Sequence, residues 1–225
     1  MREEHIEQLI SRYIKNGDVV SIGSSPLGEQ FVKKLALALE EEHIPIDSIS
    51  FVPTSMRNAA IASSMGLPIT DINEREIDVA IEFVDQVDAD YNFIKHDSAS
   101  LVRDKMIAQS AGILIVVTEE KGFVKKLRGK VPFEITTFGW RRTLNQLDAL
   151  GEASRREENG IPFKTETGHY VIDVHVDNIF SYDDLDFETK NIPGVLETGI
   201  FVGFADKIII HGKTIQLMSR TEFKQ

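Results

Sequence analysis

The chain has 225 residues, 42% hydrophobic and 27% charged, a balance that suits a globular α/β protein and argues against wholesale disorder. Its formal net charge is -11, which repels nucleic acid and anionic lipid surfaces, so no nucleic-acid and no membrane partner is expected. It contains no cysteine, which excludes disulfides, thiolate zinc sites, iron–sulfur clusters and a cysteine nucleophile.

The opening MREEHIEQLI is charged and amphipathic, unlike a signal peptide. No run of about 18 apolar residues exists for a membrane span, so the expected compartment is the cytoplasm. Ile6, Leu9, Ile10, Tyr13 and Ile14 recur at helical spacing and predict a first amphipathic helix, ended by Gly17 and Asp18. Val19, Val20 and Ile22 read as a short buried strand. The polar turn Gly23-Ser24-Ser25-Pro26 then leads into helical periodicity over 27–39. A strand over 49–52, the turn Pro53-Thr54-Ser55 and a helix over 56–64, ended by Gly66, repeat the pattern. The apolar run 77–84 enters an acidic stretch, 98–110 reads as a helix, and GILIVV at 112–117 is the clearest buried strand. Strands alternating with helices imply a parallel sheet with right-handed crossovers.

The texture then changes. FEITTF at 133–138 reads as a strand, a helix follows to residue 150, and VIDVHV at 171–176 alternates as a half-exposed antiparallel strand does. A short helix over 182–191 and a strand over 194–201 come next. Ile208-Ile209-Ile210 and Ile215 to Leu217 read as core strands that return to the first sheet. The expected fold class is α/β: a parallel sheet flanked by helices, with a second, smaller α+β domain. The expected domains are 1–130 plus about 205–225 for the first, and 131–204 for the second.

Several chemistries find no support. The acidic run Asp88-Ala89-Asp90-Tyr91-Asn92 would place Phe93 at the glycine of a calcium loop and Ala99 at its final glutamate. The dinucleotide fingerprint Gly-x-Gly-x-x-Gly, the P-loop and the hydrolase elbow Gly-x-Ser-x-Gly are absent.

Residues 77–105 read IDVAIEFVDQVDADYNFIKHDSASLVRDK. This segment resembles the signature region of type A ribose-5-phosphate isomerases. There a strand ends in Asp-Gly-Ala-Asp-Glu-x-Asp, and Leu-Ile-Lys-Gly-Gly-Gly-x-Ala-Leu-x-Arg-Glu-Lys follows at the same spacing. Pro53-Thr54-Ser55, Gly66-Leu67-Pro68-Ile69, Glu119-Glu120-Lys121, Pro132-Phe133-Glu134-Ile135, Pro193-Gly194-Val195 and Glu197-Thr198-Gly199-Ile200-Phe201 match further family segments in family order. The resemblance spans nearly the whole chain. It implies a parallel α/β domain and a smaller α+β domain, with the site near their junction.

The resemblance also implies the chemistry, interconversion of D-ribose 5-phosphate and D-ribulose 5-phosphate through an enediolate. That needs a base to carry a proton and an electrophile to steady an oxyanion. It needs no redox cofactor, and no metal is expected. By resemblance Asp104 is the base, one methylene shorter than the family's glutamate. Lys95 binds substrate and stabilises negative charge, while Glu82 and Asp85 bind the sugar. Ser24, Ser25, Pro26 and Leu27 correspond to the family's Gly-Thr-Gly-Ser-Thr anion-binding turn. His96, Asp97 and Ser98 replace Gly-Gly-Gly, and Lys121 matches a substrate-binding lysine. A sugar phosphate is the implied small-molecule partner, and a homo-oligomer, dimer or tetramer, the implied assembly. Read without the resemblance, Asp104 is a helix-surface acid, Lys95 and Lys121 are solvated, His96 is a structural or exposed loop residue, and Ser25 is a helix cap. Two rival functions stay open: a noncatalytic sugar-phosphate sensor, and an isomerase of another sugar phosphate.

Overall fold

The structure, a computed structural model, describes residues 8, 9 and 11–220. Ile6 and Ile10 of the expected first helix lie outside them. Residues 8, 9 and 11–13 are helical, and Leu9 and Ile14 are buried.

The chain continues through β1 (Val19–Ile22), α1 (Pro26–Glu41), β2 (Ser50–Pro53), α2 (Met56–Ser64), β3 (Ile77–Phe83), β4 (Gln86–Val87), β5 (Phe93–Ile94), α3 (Leu101–Ser110) and β6 (Ala111–Glu119). It goes on through β7 (Gly129–Ile135), α4 (Trp140–Leu147), β8 (Glu152–Arg155), β9 (Glu157–Glu158), β10 (Ile161–Pro162), β11 (Tyr170–Val176), α5 (Tyr182–Lys190), β12 (Val195–Thr198), β13 (Ile200–Phe201), β14 (Lys207–His211) and β15 (Ile215–Ser219).

The large sheet has the order β15-β14-β6-β3-β1-β2. Its strands are parallel except β15, which turns back against β14. The parallel strands are short apolar runs because both faces are covered. Phe31, Leu35 and Leu39 of α1 pack on one face, and Ile107 and Ala108 of α3 on the other. Serine hydroxyls start the helices. Ser25 accepts from the Gly28 amide at 2.9 Å ahead of Pro26, and Ser55 accepts from the Asn58 amide at 3.1 Å. No helix of the described residues is long and apolar enough to cross a membrane.

A four-stranded antiparallel sheet, β12-β7-β11-β8, is built from later residues, with Phe133, Ile135, Ile172 and Val174 in its core. A three-stranded sheet, β13-β5-β4, lies between. In it β5 and β4 follow directly from β3 of the large sheet, while β13 continues from β12 of the small one.

Four expectations need correction. The strand expected at 133–138 is β7, shifted to Gly129–Ile135. Helix α3 starts at Leu101, after the Ser100 cap, and not at 98. The single strand expected over 194–201 is two strands in two sheets, broken at Gly199. There the Gly199 amide donates to Pro132 O at 2.7 Å, and Gly199 O accepts from the Lys95 amide at 3.0 Å. The chain thus changes sheet where three segments meet at backbone distance. The strand at Ile215 is an edge of the sheet and not core, with Leu217 38% exposed. The hairpin β9–β10 was not expected, because its residues other than the half-buried Pro162 are exposed and carry no apolar alternation. Its turn, Asn159-Gly160, takes positive φ at both positions, the conformation that Asn-Gly favours.

Gly199 generates a stability prediction. A Cβ there would lie 2.4 Å from Pro132 Cγ and 2.8 Å from Lys95 O. Neither neighbour is a flexible side-chain end, so Gly199→Ala is expected to cost about 1–3 kcal/mol or more. Urea unfolding of the variant should show a lowered midpoint. An unchanged midpoint would mean that the crossing is looser than the structure has it.

Candidate active site

Three elements converge on one buried ammonium. Glu82 is the penultimate residue of β3, in a run of otherwise apolar buried side chains. Lys95 follows β5 directly, and Asp104 lies in the first turn of α3. Lys95 and Asp104 are 0% exposed and Glu82 is 1% exposed. Lys95 Nζ donates to Asp104 Oδ2 at 2.8 Å and makes a very short bond to Glu82 Oε2. Glu82 Oε1 and Asp104 Oδ1, each buried, have no hydrogen-bond partner. The readings of Asp104 as a surface acid and Lys95 as a solvated loop residue therefore fall.

The consecutive residues Arg103, Asp104 and Lys105 point in three directions, as about 100° of helical turn per residue requires. Arg103 pairs with Glu166 at 2.6 Å. Lys105 donates to Ile200 O at 2.6 Å and sits beside Glu197 at 3.2 Å. Asp104 alone turns to Lys95.

Burial and mutual repulsion organise the charges. Burial, opposed by Lys95 and reinforced by Asp104, pushes the Glu82 carboxyl from 4.5 up to about 7. Burial alone would lower Lys95, but the Asp104 and Glu82 carboxylates outweigh it and hold the ammonium above the ordinary lysine range. Asp104 Oδ2 also accepts from the Ser98 hydroxyl.

Beside this cluster is a cavity of about 250 Å³ at the carboxyl ends of β1, β3, β6 and β14, where ligands bind in open parallel sheets. Ser25, Pro26, Leu27, Asp85, Asp97 and Lys121 line it. Ser24 does not. Its hydroxyl accepts from the Ala99 amide at 3.0 Å and ties the 23–26 turn to the segment before α3. At Gly23 a Cβ would fall 1.9 Å from Glu82 Oε2, so a side chain there displaces that carboxylate. Ser25 caps α1 and also faces the cavity. Lys121 is exposed at the rim and pairs with Glu119 at 2.7 Å.

Asp85 and His96 hold each other. The His96 amide donates to Asp85 Oδ2 at 2.7 Å, and its ring Nδ1 lies 3.5 Å from Asp85 Oδ1. Nε2 of the same ring meets Lys130 O. Burial would raise Asp85 and lower His96, but their pairing outweighs it, leaving Asp85 below and His96 above their ordinary values.

Other residues that the sequence did not single out support the segment. Arg156 donates to His96 O at 2.9 Å and forks onto Asp173 at 3.0 and 2.6 Å. Glu134, fully buried in β7, gathers donors from Ser100, Val102, Thr165, Thr167 and His169. The available signal was an acid inside an apolar run, as at Glu82.

Among the described residues no group of three or more His, Asp or Glu could hold a metal ion. The oxygens of Asp88 are taken up within its own turn, by the Asp90 and Asn92 amides at 3.0 Å and by the Asn92 side chain. A larger groove of about 500 Å³ lies on the outer side of α3. Met56, Ile69, Arg103 and Met106 line it, and the turn residues Ser25, Pro26 and Leu27 with Asp85, Asp97 and Lys121 line the smaller cavity instead.

Comparison with known proteins gives the family and the fold. Residues 50–214 match the family described as ribose 5-phosphate isomerase A (phosphoriboisomerase A). The chain is 32% identical over 203 residues to ribose-5-phosphate isomerase A 1 of Oceanobacillus iheyensis, covering 89% of each. A solved D-ribose-5-phosphate isomerase in complex with phospho-erythronic acid aligns with a TM-score of 0.87 and 28% identity, over 98% of this chain and 100% of that one. The ribose 5-phosphate isomerase of Plasmodium falciparum shares the fold with a TM-score of 0.89 at 24% identity, over 97% of both chains. With the match running from β2 to the hairpin after β14, this chain belongs to the ribose 5-phosphate isomerase A family.

Proposed function

We propose that this protein interconverts D-ribose 5-phosphate and D-ribulose 5-phosphate through an enediolate, with Asp104 as the base. The observation that carries the reading is one buried ammonium between two carboxylates, each of which keeps an oxygen without a partner. The family membership supports it. So does the relative that holds phospho-erythronic acid, a phosphorylated sugar acid.

In the open-chain aldose, Asp104 Oδ1 takes the proton from C2 while the C1 carbonyl oxygen gains one. The electron pair left at C2 forms the enediolate double bond. Asp104 then returns its proton to C1, and the hydroxyl on C2 loses its proton to become the ketone. Lys95 donates to the oxygen on which negative charge develops. Glu82, with a pKa of about 7, is suited to give and regain the oxygen-bound proton near neutrality. Redox change is internal to the sugar, so the steps balance without a cofactor. Asp85 and Asp97 face the sugar hydroxyls. Ser25, the amino end of α1 and Lys121 face the phosphate. Asp104 is fully covered. Substrate therefore reaches it when the segment carrying Asp97 and Ser98, which lines the cavity and bonds the base, moves aside. The same reading makes the protein a cytoplasmic homodimer or homotetramer, which light scattering checks.

Two predictions follow from the cluster. In chelator-treated buffer the natural protein isomerises ribose 5-phosphate, and Asp104→Asn lowers kcat by about a hundredfold or more while still binding the sugar phosphate. A natural protein that binds ribose 5-phosphate without turning it over would replace the isomerase reading with the sensor reading.

The second concerns stability. The folded-state pKa of Glu82 is raised, so its neutral form favours folding. That contribution is full below the unfolded value of 4.5 and is lost as pH rises through about 7. Glu82→Gln stays neutral throughout. Its stability relative to the natural protein should therefore rise between pH 5 and pH 8, toward a limit on the order of 3 kcal/mol. Denaturant midpoints at the two pH values measure it, and a difference independent of pH would contradict the assignment.

A further inference from the structure

We propose that Glu134 is a positioning residue for the base, setting Asp104 through the amino end of α3. The kinetic part of the proposal rests on the isomerase reading, while its structural part stands alone.

Glu134 belongs to β7, whose residues from Val131 to Ile135 are all buried. An ionised side chain at 0% exposure requires donors for both oxygens. They come from two places. Oε2 accepts from the Val102 amide and the Ser100 hydroxyl, each at 3.1 Å. Oε1 accepts from Thr165 Oγ1 at 2.8 Å, Thr167 Oγ1 at 2.6 Å and His169 Nδ1 at 2.9 Å. Burial would raise this carboxyl, but bonds from Thr167, His169, Thr165 and the Val102 amide outweigh it and hold it below its ordinary value.

The carboxylate therefore caps α3 from a different sheet. Ser100 is the formal cap, yet its hydroxyl is turned to Glu134 and lies 3.4 Å from the Arg103 amide. Glu134 takes the Val102 amide, one of the first unpaired donors of the helix, and sits at its positive end. The turn over 165–169 adds a second grip. The Glu166 amide donates to Ala99 O at 2.9 Å, and its carboxylate takes Arg103 at 2.6 Å and the Met56 amide of α2 at 3.0 Å. Residues 99–103 are thus held on both sides of the helix start.

Asp104 is two residues beyond Val102. A slip of one residue at that end would turn it by about 100°, away from Lys95. Even a displacement of about 1 Å costs roughly a hundredfold in rate. The same strand also places the ammonium. Pro132 O takes the Gly199 amide, and Gly199 O takes the Lys95 amide. Strand β7 therefore sets both members of the Lys95–Asp104 pair, through Gly199 for one and Glu134 for the other. Glu134 does not line the cavity beside the cluster, and neither of its oxygens is free. It acts through α3 and not on substrate.

The test compares the natural protein with Glu134→Gln, Glu134→Asp and the milder Thr167→Val, measuring ribose 5-phosphate kinetics and backbone hydrogen exchange. Glu134→Gln is expected to lower kcat by about a hundredfold with KM within about threefold. Exchange should quicken in residues 99–106 and stay unchanged in β1 and β3. Thr167→Val should move both readouts the same way by less. Glu134→Asp, which keeps the charge, should recover part of the rate lost in Glu134→Gln. The proposal is overturned if kcat is unchanged in Glu134→Gln. It is also overturned if exchange rises throughout the large sheet in step with lost rate and stability, since that marks general support. Should Glu134→Gln fail to fold, Thr167→Val decides by the same two readouts. Should the natural protein not isomerise ribose 5-phosphate, the proposed function falls by itself. Exchange in 99–106 then decides alone: quickened supports the proposal, and unchanged overturns it.

Discussion

The constraint on which this structure turns is the burial of Lys95. An ammonium removed from water costs several kcal/mol unless it is paired and hydrogen-bonded. Here the repayment comes from two carboxylates on two different elements, Glu82 at the end of β3 and Asp104 at the start of α3. One cation cannot fully satisfy two anions, so one acid is driven toward its neutral form, and Glu82 is pushed to about 7. The cluster thereby holds one ammonium between an acid raised to about 7 and a second carboxylate, each acid keeping one oxygen without a partner.

Holding the three groups makes demands on backbone far from them. Side chains at Gly23 or Gly199 would collide with Glu82 or with the backbone of Lys95. These glycines stand where chain must pass against the cluster with no room for a Cβ. The Ser24 hydroxyl, the Arg156 guanidinium and the Glu166 amide each hold part of the stretch between Lys95 and α3. Strand β7 and the turn over 165–169 also hold the start of the helix that carries Asp104. This accounts for β7 carrying an acid in the middle of its apolar run.

Much of the fold was legible because parallel strands buried on both faces are nearly unbroken apolar runs, as in VVSI of β1 and LIVV within β6. The residues of the cluster were legible only by family resemblance. On pattern alone Asp104 is one charge in Arg-Asp-Lys, and nothing local says which of the three turns inward. The break at Gly199 was hidden because Val195 and Ile200-Phe201 read as the apolar ends of one strand, with nothing local to mark a change of sheet between them. Glu134 was hidden for another reason. Its donors lie more than 30 residues away in the chain on either side, at Ser100 and at Thr165 to His169. Spacing in sequence carries no trace of such a set, although an isolated acid among buried apolar residues signals that one must exist.

The departures from the family pattern acquire a physical sense in this arrangement. His96 and Ser98 stand where the family motif has glycines, and both are turned onto site acids instead of into the cavity. The His96 amide and ring face Asp85, and the Ser98 hydroxyl donates to Asp104. A shorter carboxylate at 104 has less reach and less of its own packing to fix it. A hydroxyl at 98 supplies a second donor to the oxygen already bound by Lys95, which leaves Oδ1 as the free, directed oxygen. Glycine at 98 could not do this. Ser98 and Lys95 thus hold the Asp104 side chain by one oxygen, and on the isomerase reading the other oxygen is the one that meets substrate.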